Sequence, residues 1–292
     1  MSDQATAASG NLQYRRPFND VVALIPACNE AATIRDLAER TLKIVPNVVV
    51  VDDGSTDATA AQIGDLPVAL LRNHRNLGKS ASLWKGFEYA LGRGARYVVT
   101  LDGDGQHRPE DIRRLMAAAE RFPGSIVIGA RLHDRKNFPL QRYYANRFAR
   151  FWISWAAGYP IADTQSGFRV YPAALLARLG RREVSRTRFV LESEILIAAG
   201  RRGVRSVAVP IPGIYAAHAR PSHFRPVRDI ARIVAMVAGR LLMRGMYPSG
   251  MWRSLTLPVA IEAMPELTGL SGVPVTDAVD EKAVPPPHSA RN

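Results

Sequence analysis

Val48-Val49-Val50-Val51-Asp52-Asp53-Gly54-Ser55-Thr56-Asp57 is a run of four β-branched residues that stops abruptly at two aspartates. A continuous apolar run of this length suits a strand buried on both faces, as in a parallel sheet covered by helices. Upstream, Val21 to Ile25 is a second such run, and it ends in Pro26-Ala27-Cys28-Asn29-Glu30. Between them Ile34, Leu37, Ala38, Thr41, Leu42 and Val45 recur at helical spacing. Downstream the alternation continues with a weaker strand at Val68 to Leu71, a helix from about Ser80 to Arg93, and a strand at Tyr97 to Leu101 ending in Asp102. Pro109 opens a helix to about Arg121 in the manner of an N1 proline, and Ser125 to Gly129 is the next strand. Strands alternating with helices predict an α/β protein with a doubly wound, mostly parallel sheet.

Beyond residue 140 the pattern changes. Residues 140–157 read as a long aromatic-rich helix, followed by a loop from Asp163 to Arg169, a helix from Phe189 to Arg202 and a strand from Val204 to Val209. Pro226 to Arg244 is a final helix whose apolar residues Ile230, Ile233, Val234, Val237, Leu241 and Leu242 share helical spacing, with Arg228, Arg232, Arg240 and Arg244 between them. A stripe of that kind predicts an amphipathic helix that either packs on the protein's own core or lies in a membrane interface. Met246, Tyr247, Met251 and Trp252 extend its apolar and aromatic character. The expected organisation is a flexible leader over 1–18, an α/β body over 19–225, the amphipathic segment over 226–254, and a mostly disordered, proline-rich tail over 255–292.

Composition narrows the function classes. A chain of 292 residues with 47% hydrophobic content is a folded protein. Its one cysteine, Cys28, excludes an internal disulfide and a thiolate cluster, and suits a reducing compartment. The first twenty residues are polar with no apolar signal core, so a cytoplasmic location, at the cytoplasmic face of a membrane, is expected. Net charge is +13; the last 37 residues hold five acids and two bases, which leaves the remainder near +16. Nucleic acid, anionic lipid and phosphorylated substrates all fit that surplus. The longest late apolar run, Ile233 to Met243, is broken by Arg240 and is too short to span a bilayer.

In a doubly wound sheet ligands bind beyond the carboxyl ends of the strands. Acidic clusters lie at three such ends, after Ile25, Val51 and Leu101. Each Asp-Gly pair alone is an ordinary turn former, but three together point to one crevice. Asp102-Gly103-Asp104 is the candidate metal site: its two carboxylates, two residues apart, can face one hard cation, Gly103 lets the chain turn, and Gln106 adds a neutral oxygen. It is not an EF-hand, because His107 and Arg113 stand where the glycine and the glutamate are required. So few protein ligands suit Mg²⁺ or Mn²⁺ completed by substrate phosphates. Gly78-Lys79-Ser80 is not a Walker loop, since Asn73 replaces its first glycine, but Lys79 can reach a phosphate or remain a solvated loop lysine.

Together with Asn76-Leu77-Gly78-Lys79 these clusters resemble family 2 glycosyltransferases in order and spacing, and most closely the polyprenyl-phosphate, dolichol-phosphate mannosyltransferase-like branch. Gly129-Ala130-Arg131, Asp163-Thr164-Gln165-Ser166-Gly167-Phe168-Arg169, Phe189 to Glu194 and Val207 to Ile211 continue the match over about residues 20–235. The resemblance implies a glycosyltransferase-A fold with an acceptor-side extension and a divalent metal, acting on a nucleotide-sugar donor. It implies that Pro26, Glu30 and Asp53 hold the base and ribose, that Asp102, Gly103, Asp104 and Gln106 hold the metal and diphosphate, and that Lys79 and Arg131 lie near phosphate or sugar. Asp163, Arg169, Glu192 and Glu194 would form the acceptor side. The branch's Ser-Lys pair is Ser222-His223 here and Ala217 stands where an arginine is frequent, so that loop's phosphate-binding cation is weakened or supplied by Arg220 or Arg225.

The acceptor expected from this likeness is a polyprenyl phosphate or other lipid at a membrane surface. A phosphate acceptor is already an anion, whereas a hydroxyl acceptor would need a base such as Asp163, Glu192 or Glu194. Glu192 and Glu194 stand two apart, so a helix cannot aim both at one site. The rival readings are a glycosyltransferase with a soluble or glycan acceptor, a nucleotidyltransferase, and a nucleic-acid-binding protein. The nucleotidyltransferase lacks its basic Gly-rich loop here, and no stacking platform supports nucleic acid as a partner. Nothing in the sequence sets the sugar, the base or the oligomeric state.

Overall fold

The computed structural model of this protein describes residues 18–131, 140–179, 190–212 and 226–262. Its centre is a seven-stranded sheet built from β1 (Val21–Ala27), β2 (Asn47–Asp52), β3 (Ala69–Arg72), β4 (Tyr97–Thr100), β5 (Ile126–Ala130), β6 (Arg169–Pro172) and β7 (Ser206–Pro210), in the order β3-β2-β1-β4-β6-β5-β7. Pairing is parallel except on the two sides of β6, which runs against both β4 and β5. The α/β sheet expected from the alternation is therefore present, with one inverted strand, β6, which begins at the end of the expected Asp163–Arg169 loop and which the alternation does not predict.

The helices are α1 (Ile34–Leu42), α2 (Lys79–Gly92), α3 (Ile112–Arg121), α4 (Leu140–Ala157), α5 (Ala173–Arg178), α6 (Leu191–Arg201), α7 (Pro226–Leu242) and α8 (Pro248–Thr256). Pro109 begins a 3₁₀ turn, Pro109–Asp111, that leads into α3, so the proline does open this helix as its fixed φ favours. Alternate residues of the central strands feed two separate cores. Val22, Leu24, Val49 and Val51 meet the side of α2, α4 and α6, while Val21, Ala23, Ile25, Val48 and Val50 meet α1 and α3. Both faces of β1 and β2 are buried, which is why those strands are continuous apolar runs.

Along α7 the stripe is divided. Val237 and Leu241 are buried in the core beside α4, whereas Leu242 is exposed. The C-terminal boundary also differs from the expectation. α8 extends through residue 255, and Ala260 and Glu262 hydrogen-bond to Ala208 at the outer edge of β7 through their backbones (2.9 and 2.8 Å). Arg121 pairs with Glu262 at 2.8 Å, fastening that segment to α3. The leader to residue 17 and the tail from 263 lie outside the described residues, as do the side chains of Arg228, Ile230, Arg232 and Ile233.

Candidate functional site

The chain passes from β1 to β2 and β3 on one side of the sheet, then returns to lay β4 on the other. That reversal places a crevice between the carboxyl ends of β1 and β4, the position where open α/β sheets bind ligands. β4 stops pairing with β1 at Leu24–Thr100, two residues before the buried Pro26. A proline, which donates no backbone hydrogen bond, is compatible with this point because the strand has parted from its neighbour there.

Three loops are tied together around the crevice. Asn29, at φ 59°, is in the left-handed region that asparagine tolerates better than most residues. Its side-chain oxygen accepts from the Thr56 amide at 2.8 Å, and its own amide donates to Ser55 Oγ at 2.9 Å. The Glu30 amide donates to Thr59 Oγ1 at 2.8 Å. Thr33 donates its hydroxyl to the Gly103 carbonyl at 2.6 Å, which joins the loop after β1 to the loop after β4. Gly103 suits this closeness: a Cβ there would lie a tight 3.0 Å from the Pro26 oxygen and 3.3 Å from Glu30 Cγ. Pro26, Glu30 and Gly103 thus lie against one another on one wall of the crevice.

Asp102 is the electrostatic centre. Lys79, the first residue of α2, sets its ammonium 2.5 Å from Asp102 Oδ1 and 3.3 Å from Glu192 on α6. His107 Nε2 lies 3.5 Å from the other Asp102 oxygen, its ring is buried against Phe168 at 5.2 Å, and its Nδ1 has no partner among the described residues. Burial alone would raise the Asp102 carboxyl, but the Lys79 ammonium and the His107 ring together outweigh it and hold the group well below the usual carboxylate range. Burial likewise opposes the Lys79 charge, and Asp102 and Glu192 reverse this to hold its pKa above the usual lysine range. A Cβ at Gly167 would collide with the Asp102 carboxylate, so the glycine is what lets the loop before β6 close over it. His107 is the member of this cluster to which the sequence reading gave no role, although it shares a six-residue loop with Asp102.

Asp104 is exposed to the crevice, and Gln106 follows it on the same loop with its amide donating to Asp104 Oδ1 at 3.0 Å. The protein wall raises the Asp104 carboxyl, and the neighbouring Asp102 charge pushes it the same way. Among the described residues no three His, Cys, Asp or Glu side chains form a metal cluster. The donor set that does fit a cation is the carboxylates of Asp102 and Asp104 with the Gln106 amide. All its donors are hard oxygens, and it is incomplete without ligands from a substrate, which suits Mg²⁺ or Mn²⁺.

Four of the sequence-derived site residues turn out differently. Asp53 is buried and accepts from Gly78 N–H (2.7 Å), Leu77 N–H (2.9 Å) and Asn73 Nδ2 (2.8 Å). Its carboxylate is committed to the loop that presents Lys79, which corrects the expectation that it holds the nucleoside directly. Arg169 is fully buried in β6 and donates to the carbonyls of Ser166 (2.7 Å), Thr164 (2.9 Å) and Glu192 (2.9 Å). It shapes the loop and holds α6 instead of facing an acceptor. Asp163 accepts from the Gln165 and Ser166 amides at 2.9 and 3.0 Å and lies 3.9 Å from Arg131 Nε, so it is a turn residue that also steadies Arg131. Glu194 is buried and pairs with Arg240 of α7 at 3.0 Å, away from Lys79, while Glu192 faces the crevice. Residues 213–225, with Ala217, Arg220, Ser222, His223 and Arg225, lie outside the described residues.

Residues 22–185 match the family model described as Glycosyl transferase family 2. The chain is 28% identical to the polyprenol monophosphomannose synthase of Mycolicibacterium smegmatis, over 67% of this chain and 78% of that one. It is 30% identical to the undecaprenyl-phosphate mannosyltransferase of Micrococcus luteus, over 65% and 82% of the two chains. Among solved structures, glucosyl-3-phosphoglycerate synthase from Mycobacterium tuberculosis, in complex with Mn²⁺, UDP-glucose and phosphoglyceric acid, superposes with a TM-score of 0.54 over 77% of this chain and 79% of that one. At 20% identity that likeness bears on the fold alone. Given the matched family model and the crevice it covers, the chain belongs to glycosyl transferase family 2.

Proposed function

We propose that this protein is a metal-dependent glycosyltransferase that moves a sugar from a nucleotide diphosphate-sugar to a polyprenyl phosphate at a membrane surface. The observation that carries the reading is the crevice between β1 and β4, where Asp102, Lys79 and Glu192 meet in a family 2 chain whose relatives are named for polyprenyl-phosphate substrates. The family match gives no support to the nucleotidyltransferase and nucleic-acid readings.

In this account Pro26 and Glu30 line the nucleoside side of the crevice. Asp53 sets the loop from which Lys79 reaches the diphosphate, and Arg131 adds a second cation beside Asp163. Asp102, Asp104 and Gln106 hold a divalent cation that, when bound, neutralises charge on the departing nucleoside diphosphate. Glu192 lies on the acceptor side of the crevice, paired there with Lys79. A phosphate oxygen attacks the anomeric carbon without needing to lose a proton, so no strong base is required of this site.

Surface chemistry supports a lipid acceptor. Phe148 and Phe151 of α4, Leu242 of α7, and Trp252 and Leu255 of α8 are exposed, on helices of which α4 packs against the other two. Arg147, Arg150, Arg244 and Arg253 are exposed on or beside the same helices. Aromatic and aliphatic groups interleaved with arginines suit the headgroup boundary of an anionic bilayer. Among the described residues no helix is long and apolar enough to cross a membrane. The test is transfer from a panel of labelled nucleotide sugars to polyprenyl phosphate in detergent or vesicles, beside soluble glycans and hydroxyl acceptors. Label moving into the organic phase with one donor supports the reading; label moving only to a soluble acceptor overturns it.

A further inference from the structure

Lys79 occupies a place that neither a metal ligand nor a phosphate ligand needs in the absence of substrate. Its ammonium is 2.5 Å from Asp102 and 3.3 Å from Glu192, so one cation bridges the metal side of the crevice and its acceptor side. His107 approaches the second Asp102 oxygen at 3.5 Å, which leaves both oxygens of that carboxylate with a neighbour. We propose, on the reading given above, that Lys79 is an internal counter-ion of the cation site. It keeps free metal out until a nucleoside diphosphate draws the ammonium away, so that metal and donor enter as a pair and Glu192 is released only once the donor is bound.

The mechanics follow from what is fixed and what is free. The backbone of the Lys79 loop is pinned, because the Leu77 and Gly78 amides are both held by Asp53. The side chain is not pinned in the same way: it is a flexible four-carbon stem, 26% exposed on the crevice. Its ammonium therefore exchanges partners by rotation alone, with no loop opening. A dication approaching Asp102 meets a resident positive charge, and that repulsion weakens its binding. A diphosphate brings two or more negative charges to the amino-terminal end of α2, where the helix dipole also favours an anion. Lys79 then turns from a shared carboxylate to the phosphate, and Asp102 is left for the metal. The same movement strips Glu192 of its cation, so the acceptor side acquires a free carboxylate late in the sequence of binding.

Mn²⁺ titrations of the full chain, followed by the electron paramagnetic resonance signal of free Mn²⁺, test this without any turnover. The wild-type protein alone is expected to bind Mn²⁺ weakly. Lys79→Met should bind it at least about tenfold more tightly, because a unit charge a few ångströms from the dication has been removed. Asp104→Ala in the Lys79→Met background should lose the gain, which locates the ion. UDP and GDP, each added as a probe, should strengthen Mn²⁺ binding to the wild type and do so much less in Lys79→Met. Lys79→Gln serves as the second variant if the methionine form does not fold. Equal Mn²⁺ affinity in wild type and both Lys79 variants, with loss in Asp104→Ala, would overturn the counter-ion role while leaving the metal site intact. No Mn²⁺ binding by any form, even with UDP or GDP, would overturn both the counter-ion role and the metal-dependent reading on which it rests.

Discussion

Replacing Asp53 by asparagine removes one acceptor oxygen and nothing else in shape. The native carboxylate takes the Gly78 amide on Oδ2 and the Leu77 amide with Asn73 Nδ2 on Oδ1, at 2.7, 2.9 and 2.8 Å, and it is buried. An asparagine NH₂ must point at one of those donors, so at least one buried N–H is left without an acceptor. A lost hydrogen bond to a charged group together with an unsatisfied buried amide costs about 2–4 kcal/mol. Taking about 2 kcal/mol as the lower end, Tm should fall by roughly 4–8 °C for a folded body of this size. Differential scanning calorimetry of wild type and Asp53→Asn measures it, alongside UDP and GDP titrations. The account expects the Tm to fall and nucleotide affinity to fall with it, since Lys79 is presented by the damaged loop. An unchanged Tm with abolished nucleotide binding would overturn the loop-holding role and return Asp53 to direct contact with the nucleoside.

Three further outcomes are expected. Glu194→Gln should lose about 3–5 kcal/mol in urea unfolding, because it leaves Arg240 facing a neutral partner in a nearly closed environment, and a Glu194→Leu/Arg240→Leu pair should recover most of it. The depressed Asp102 carboxyl contributes stability that is full above its unfolded pKa near 3.8 and is lost as pH falls toward its lower folded value, so Asp102→Asn should flatten the acid-unfolding curve below about pH 4; an unchanged curve would remove Lys79 as its partner. Trp252→Ser/Leu255→Ser should reduce sedimentation with anionic vesicles at low salt and leave the melting temperature close to that of the wild type, as both side chains are exposed.

The parallel half of the fold is legible because burial on both faces leaves no choice of residue: Val21 to Ile25 and Val48 to Val51 must be apolar throughout. β6 was not legible. Arg169-Val170-Tyr171-Pro172 is four residues long, starts with a charge and ends with a proline, so it carries none of the marks of a central strand. Its arginine is tolerated there only because three backbone carbonyls surround it. α8 begins at Pro248 as α7 begins at Pro226, but it has only nine residues, too few for a stripe to declare itself.

The candidate site was legible as a set of strand ends and less so as a set of roles. A carboxylate just past a strand looks the same in sequence whether it faces a ligand, as Asp104 does the crevice, or its own chain's amides, as Asp53 does. The two-residue spacing of Glu192 and Glu194 told that they diverge. Which of them faces Lys79 depends on where α7 packs, and that is a long-range fact, fixed by Arg240.

Transfer of label from the preferred nucleotide sugar to polyprenyl phosphate, measured for wild type and Asp104→Ala across a Mn²⁺ titration and in chelator, shows whether this crevice is a metal-dependent transferase site. Wild-type transfer should rise with Mn²⁺ and vanish in chelator. No Mn²⁺ concentration should restore Asp104→Ala, a variant whose melting temperature stays close to that of the wild type because the substituted side chain is exposed on a loop. Near-normal transfer by Asp104→Ala, or undiminished wild-type transfer in chelator, would contradict the metal assignment.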